Sequence, residues 1–523
     1  MATTALPPTT PAPTESGADW LVSNDPATGA EVGRVRVTRP EDVAAVVQRA
    51  RSAQRAWAAR TPRQRSQVMV RAARVLFDRM DEVAARISAE QGKPRLEALV
   101  HDVSTGIEHA LWCASDVPRL LRPERVRSPQ LTYRAKQHVV HYEPLGVVGI
   151  ISPWNFPFGI PFSEVAIALA CGNAVVLKPS ELTPLAAEEI AGIFHDAGLP
   201  DGVLQVIHGD GRVGGALVAA GVDKIFFTGS VATGRTVMRA AADTLTPVVL
   251  ELGGKDPMIV LEDADVDLAA RGAVWGAFAN AGQVCASVER AYVHESVAAE
   301  FVDKVVRQAE SLRTGHHDEP GVDLGPLVSA RQYETVKTLV DDAVANGARI
   351  LTGGPDPRGG SFYRPTVLVD VSPEMRIMRE EIFGPVLPVV TIRDEDEAVN
   401  AANDSEFGLS ASVWTRSRRR ALRLAERLQA GSVWVNDHMY SHNAPQLPWG
   451  GVKQSGFGRT HSKHGVYECV QVKMVGSDAG RMPRPYYFPY ASRQAAFVPA
   501  LLRAIYGRGV AGRIATALRR LPS

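Results

Sequence analysis

One cysteine of this 523-residue chain, Cys285, lies in a small and uncharged stretch, "FANAGQVCASVER", from Phe278 to Arg290. A thiolate is a strong nucleophile, and it is favoured by nearby N–H donors or a helix N-terminus. The neighbours Ala281, Gly282, Ala286 and Ser287 leave room for a substrate to approach. A packed, inert cysteine is the commoner case, so the local residues leave both readings open. Glu251 ends an apolar run in "VVLELGGKDP". A carboxylate buried at such a strand end is costly to ionise, which moves its pKa towards the range useful for a general base. An edge-strand glutamate facing water is the plain alternative, though Gly253 and Gly254 would leave space beside it. Asn155, in "PWNFP", could donate to a developing oxyanion, or simply make a turn between Pro153 and Pro157.

Two further stretches suit a dinucleotide. In "VVLKPSE", Lys178 and Glu181 emerge together at a strand end. An acidic side chain there can bind the ribose hydroxyls of NAD and would repel the extra phosphate of NADP. A solvated charged loop would look the same. In "KIFFTGSVATGRTVMRA", Gly229 and Gly234 flank a helix start, where unpaired N–H groups could meet a pyrophosphate. The spacing departs from the G-x-G-x-x-G fingerprint, and an ordinary strand-to-helix turn fits it equally.

These residues need a frame. "EDVAAVVQRARSAQRAWAAR" and "RSQVMVRAARVLFDRMDEVAARISAEQG" carry apolar residues at three- and four-residue spacing and read as amphipathic helices. From about residue 143, short Val/Ile/Leu runs alternate with helical patterns, the mark of a parallel sheet covered on both faces. A second alternating region runs from about Met258 to Val435. "LTYRAKQHVVHYEP" and "YECVQVKMV" read as distant strands that pair in a small extra sheet suited to contact with another subunit. The expected class is therefore α/β.

The length exceeds what one core supports, and a net charge of +1 gives no reason to expect a nucleic-acid partner. The four cysteines are scattered and no His cluster suggests zinc, so no metal is expected and a reducing cytoplasm is the natural compartment. Residues 1–19 are Pro/Thr/Ala-rich with no Lys or Arg. They read as a disordered tail rather than a targeting signal.

In order along the chain, "PWNFP", "KPSE", "FTGS", "ELGGK", "GQVC", "EEIFGPV", "FGLSASV" and "PWGGVKQSGFGR" resemble the NAD(P)-dependent aldehyde dehydrogenase superfamily, as does the 34-residue separation of Glu251 and Cys285. The resemblance runs from about Asn24 to about Val475. It implies two doubly wound α/β domains, a Rossmann-like cofactor domain and a catalytic domain, plus a small oligomerisation β-extension. Residues 20–122 and 145–252 would form the dinucleotide-binding domain and 253–455 the catalytic domain. Residues 123–144 and 456–476 would form the bridging segment.

The resemblance also implies roles. Cys285 adds to the aldehyde carbon, Asn155 and the Cys285 N–H hold the oxyanion, and Glu251 activates the water that hydrolyses the thioester. Lys178 and Glu181 hold the adenine-side ribose of NAD, with NADP possible, and Ser180 is a further cofactor contact. Gly229, Ser230 and Gly234 lie by the pyrophosphate, Glu381 grips the nicotinamide ribose and Phe383 flanks the ring. Ser152, Pro153, Trp154 and Leu252 complete the cofactor contacts. Phe156, Ile160, Phe162, Ser163, Val284, Trp449 and the loop "HMYSHNAPQ" would line the substrate tunnel.

Trp449 stands where the family commonly has phenylalanine, Ser163 is uncharged, and no arginine occurs between Asn436 and Lys453. A desolvated substrate carboxylate would lack a cationic partner, so the expected substrate is an apolar or aromatic aldehyde. The alternatives are an enzyme that passes the acyl group to coenzyme A, against which Glu251 argues, and a catalytically silent structural or binding protein on the same fold. A homodimer or homotetramer is expected.

Residues 477–523 form a basic extension, with eight arginines and no acid or lysine from Ala479 onward. Val498, Leu501, Leu502, Ile505, Val510, Ile514, Leu518 and Leu521 make an amphipathic pattern broken by Gly507, Gly509 and Gly512. This tail would pack over its own dimer or make a weak contact with an anionic membrane surface.

Overall fold

The computed structural model describes residues 20–128, 133, 136–438, 443–480, 487–488, 497–500, 502–503 and 509. The tail expected at 1–19 and most of the basic extension therefore lie outside the described residues. The chain divides into two compact units, Met1–Arg122 with Glu143–Gln471, and Pro123–Tyr142 with Val472–Ser523.

The first unit contains a two-stranded sheet, Trp20–Asn24 with Glu31–Arg36, and two larger ones. A six-stranded sheet runs in the order Gly456–Phe457, Val248–Glu251, Lys224–Thr228, Val147–Ile151, Ala174–Lys178, Leu204–Val206. All pairs are parallel except the first. The strand Val147–Ile151 is buried at every position, which is why its sequence is continuously apolar instead of alternating. Parallel neighbours need crossover helices, and Gly159–Ala170, buried along its whole length, is the first. A seven-stranded sheet follows, in the order Arg349–Pro355, Tyr363–Val369, Val386–Ile392, Val288–His294, Asp256–Val260, Ser410–Trp414, Ser432–Val435. It carries one contiguous core that includes Met258, Phe301, Leu368 and Trp414.

The N-terminal amphipathic stretches form the helices Val43–Ala58, Pro62–Asp78 and Met80–Gln91. The second stretch is two helices because the chain leaves helical geometry at Arg79 (φ −108°). A capping box between Thr61 and Gln64 starts the first of these, and Gly92, at φ 95°, ends the second.

The distant strands Lys136–Pro144 and Val470–Asp478 do pair, in a three-stranded sheet with Glu124–Val126. The expected bridging segment 456–476 requires correction at its start. Gly456–Phe457 adds to the six-stranded sheet beside Val248–Glu251, and Ser462–Glu468 is helical. A two-residue strand has too little alternation to be seen in sequence. Among the described residues, no helix is long and apolar enough to cross a membrane.

Candidate active site

Cys285 sits beyond the helix Val266–Phe278, after a tight turn at Ala279–Gly282. Asn280 (φ 51°), Ala281 (φ 54°) and Gly282 (φ 72°) are all left-handed. For Ala281 that conformation costs about 1–2 kcal/mol, so the surroundings must impose it. Glu97 accepts from Asn280 N–H at 2.9 Å, and Gln283 Oε1 accepts from Val328 N–H at 2.9 Å. Asn280 Nδ2 donates to Asn155 O at 3.0 Å and to Gln283 O at 3.2 Å. From the opposite side, a Cβ on Gly254 would stand 2.1 Å from the Cys285 carbonyl oxygen, so the second glycine of "ELGGK" is what lets the two segments meet.

Asn155 is buried, and its Nδ2 donates to Gln283 O at 3.0 Å, two residues before the sulfur. Its own carbonyl accepts from Lys93 Nζ at 2.8 Å. Lys93 pairs with Asp102 at 2.9 Å with both side chains fully buried. Asp102 Oδ1 accepts from Gly159 N–H at 2.8 Å and Phe158 N–H at 3.3 Å, which anchors the start of the helix Gly159–Ala170. The turn that presents Asn155 is thus clamped from both sides.

Cys285 is half-buried and shares a cavity with Ile160, Glu164, Thr228, Glu251, Leu252, Leu409, Trp449, Thr460 and His461. Phe156, Val284 and Ala286 join Ile160, Leu409 and Trp449 in an apolar cluster against Cys285. Phe162 does not face this cavity and is corrected to a core residue. It stacks on Phe158 and Phe194 at 5.1 Å each. Ile160 and Glu164, four apart, share one helix face, and Phe162 falls on the other. Ser163 Oγ donates to Gly159 O within the helix.

Burial holds the proton on Cys285, and the Asp256, Glu381 and Glu251 carboxyls add to the effect against one N–H from Ala286. Glu251 is raised well above the usual carboxylate range, first by burial and then by Glu164, with Arg459 opposing.

The residues expected to hold a dinucleotide cluster at the carboxyl ends of the six-stranded sheet. Ser152 N–H donates to Lys178 O at 3.1 Å, and Lys178 Nζ lies 3.5 Å from Glu181, with burial lowering the lysine's pKa. Ser180 Oγ accepts from Leu182 N–H. Gly229 N–H donates to Glu251 O. Ser230 caps the helix Val231–Ala242, and a Cβ on Gly234 would lie 2.6 Å from Leu252. Glu381 Oε1 accepts from Gly254 N–H at 2.9 Å, and Phe383 meets Trp154 edge to face at 5.3 Å; Pro153 is half-buried beside it.

Sequence reading missed the supports of this site. Glu289 pairs with Lys255 at 2.7 Å and accepts from the Ile382 and Phe383 N–H groups at 2.9 Å each. That cradle fixes Phe383 at φ 53°. Lys93, Asp102, Gln283 and Glu164 were missed as well. A motif such as "ELGGK" contained the signal for Lys255, since a lysine that close to a buried strand needs a partner. Away from the site, Asp25, His316 and His317 converge within 4.8 Å. His316 Nδ1 accepts from Asp318 N–H, which places its proton on Nε2 towards Asp25 at 2.8 Å. His317 Nε2 stands 4.0 Å from the same Asp25 oxygen, and its Nδ1 meets Asp318 at 3.1 Å.

The model of the "Aldehyde dehydrogenase family" matches residues 14–475. A Methylomonas sp protein described as a 4,4'-diapolycopene aldehyde oxidase is 39% identical over 488 residues, 93% of this chain and 91% of its own. A Pisum sativum protein described as a peroxisomal aminoaldehyde dehydrogenase is 40% identical over 477 residues, 89% of this chain and 94% of its own. The NAD+ complex structure of an aldehyde dehydrogenase from Bacillus cereus superposes with a TM-score of 0.85 at 35% identity, covering 88% of this chain and 93% of that one.

Proposed function

This chain belongs to the aldehyde dehydrogenase family, and from that premise we propose that it oxidises an apolar or aromatic aldehyde to the carboxylic acid with NAD as hydride acceptor. The observation that carries the reading is that Cys285 and Glu251 face one cavity while the Asn155 amide is held two residues from the sulfur.

The residues present fit a dinucleotide. Ser230 and Gly234 open a helix whose N-terminal N–H groups suit a pyrophosphate, and the buried Ser152 hydroxyl has no hydrogen-bond partner among the described residues. Glu181, beside Lys178, suits ribose hydroxyls and would repel a 2′-phosphate. When bound, NAD supplies the acceptor for the hydride and a cationic ring that favours the thiolate.

The chain's own residues supply the rest. Cys285 gives its thiol proton to solvent, its Sγ adds to the aldehyde carbon, and the new oxyanion is received by Asn155 Nδ2 and the Cys285 N–H. Charge on that oxygen is what drives hydride departure, so these donors lower the barrier where it is highest. Loss of the hydride leaves a thioester on Cys285. Glu251 takes a proton from water, the hydroxide oxygen bonds to the acyl carbon, and the C–S bond breaks to return the thiolate and release the acid. An available base also favours water over coenzyme A as the acyl acceptor.

The apolar substrate class is supported by the walls beside the sulfur, Phe156, Ile160, Val284, Leu409 and Trp449, with no Lys or Arg lining the cavity among the described residues. The Methylomonas relative is named for an aldehyde of 4,4'-diapolycopene and the pea relative for aminoaldehydes. An aldehyde panel with NAD and NADP, run with and without coenzyme A, tests the whole reading. Hexanal or benzaldehyde with NAD is expected to give the free acid. Preference for an aminoaldehyde or succinic semialdehyde, or a requirement for coenzyme A, overturns it.

The proposal includes a homodimer or homotetramer, supported by Val472 and Met474, 66% and 62% exposed on the strand Val470–Asp478, and a reducing compartment such as the cytoplasm, supported by four unpaired cysteines.

A further inference from the structure

Glu164 has no place in the scheme above, yet it lines the same cavity as Cys285 and Glu251. It projects from the helix Gly159–Ala170, a wholly buried element that the Asp102 carboxylate anchors beside Asn155. Both of its carboxyl oxygens, and both of Glu251's, are buried without a hydrogen-bond partner among the described residues. A buried carboxyl left unsatisfied is costly, and two facing one cavity cost more. The Thr228 hydroxyl stands beside Glu164 without closing a bond, and Thr228 is also the register partner of Glu251 across parallel strands. Three oxygen-bearing side chains from two strand ends and one helix therefore converge next to the sulfur.

We propose that Glu164 and Glu251 act as one proton-sharing carboxyl pair, in which Glu164 is the positioning residue that, with Thr228, holds the hydrolytic water against Glu251 and shares the proton withdrawn from it. The inference rests on the hydrolytic reading given above. The balance is simple. Water gives its proton to the pair and its oxygen to the acyl carbon, the C–S bond breaks, and the pair later releases the proton to solvent. No oxidant or further reactant enters this step.

The electrostatics agree with the geometry. Burial pushes Glu164 up to about 8, and Glu164 in turn raises Glu251. Two like charges in one apolar cavity cannot both form cheaply, so the pair titrates as a unit. The other groups facing it are Cys285, His461, which packs against His109 at 4.5 Å, and Arg459 beside Glu251. Asp256 and Glu381 act on the sulfur side.

The test is the kcat–pH profile of the full chain and of Glu164→Gln, with rapid-mixing measurement of the first NADH formed. The amide removes the ionisable neighbour but keeps the shape. We expect the initial NADH burst to persist at about one per site. Steady-state turnover should drop by about tenfold or more, and its acid limb should move to lower pH because Glu251 no longer feels a second charge. Glu164→Asp should return the limb towards the parent position. An unchanged limb and turnover in folded Glu164→Gln, or a burst that falls in step with turnover, overturns the pair. Should Glu164→Gln not fold, infrared titration of the parent against Glu251→Gln decides the matter. A protonated-carboxyl band that titrates at lower pH in Glu251→Gln supports the pair, and an unmoved band overturns it. A parent enzyme that forms no NADH with any aldehyde would instead remove the underlying functional reading.

Discussion

Cys285 keeps its proton because burial and three carboxyls outweigh one N–H donor, so the sulfur needs a cationic neighbour that lets its proton leave to solvent before it can attack. Replacing it with alanine should abolish aldehyde-dependent NADH formation, measured by absorbance at saturating aldehyde. Residual turnover in Cys285→Ala would remove the nucleophile from this position. Glu251→Gln should separate the two half-reactions: one NADH per site in a rapid-mixing burst, then steady turnover slower by about 10²–10⁴-fold. Loss of the burst as well would show that Glu251 also acts before the thioester. Asn155→Ala should lower kcat by about 10²–10³-fold, the usual cost of one oxyanion donor. These three positions stood out as candidates in short motifs, but the residues alone left plain alternatives open, and only the order of those motifs along the chain, in its resemblance to one family, implied their roles. Glu164 did not stand out. It lies mid-helix in "SEVAIALACG", where nothing in the sequence says which face meets a cavity, and the same ambiguity put Phe162 in the wrong place.

At the scale of elements, the site is held by two buried ion pairs that join segments far apart in the chain. Lys93–Asp102 ties the residues after the helix Met80–Gln91 to the Asn155 turn, and Lys255–Glu289 ties the end of "ELGGK" to the loop carrying Phe383. Removing one partner of a buried pair leaves an uncompensated charge, which costs about 3–5 kcal/mol. Asp102→Ala should show that loss in urea denaturation. The double change Lys93→Met with Asp102→Leu should recover most of the stability, yet catalysis should stay impaired because the Asn155 carbonyl keeps only the Asn280 amide and the Gly159 N–H loses the Asp102 carboxylate. Recovery of kcat together with stability would mean that the pair supports folding alone. The strand–helix alternation was readable from residue 143 onward because parallel strands buried on both faces are continuously apolar. The pairs were invisible because each joins a lysine and an acid that in sequence look like surface charges, and only tertiary contact between distant loops shows them to be buried.

For the whole molecule, the same buried acids set how stability responds to pH. Burial raises Glu97 to about 7 and Glu164 to about 8, and it pushes Glu251 and Glu381 up as well. A carboxyl whose folded pKa exceeds its unfolded value of about 4.3 stabilises the fold when protonated. That contribution is complete below the unfolded pKa and is lost as pH rises through the folded one. His101 and His438 work the other way. Burial lowers both to about 4, so their contribution is present above an unfolded pKa of about 6.5 and is lost as pH falls towards 4. Between pH 6.5 and 8 the folded histidines are already neutral and the unfolded ones lose their remaining protons, while the buried acids are still titrating. The melting temperature of the protein should therefore decline across that window, and because four raised carboxyls oppose two lowered histidines, the decline should already be under way at pH 6. Scanning fluorimetry at constant ionic strength measures it. Glu164→Gln should flatten the decline above pH 6.5, since it deletes one of the groups responsible. A profile that rises from pH 6.5 to 8 would mean that these carboxyls are ionised in the folded protein, and the proton economy proposed for the cavity would fail with it.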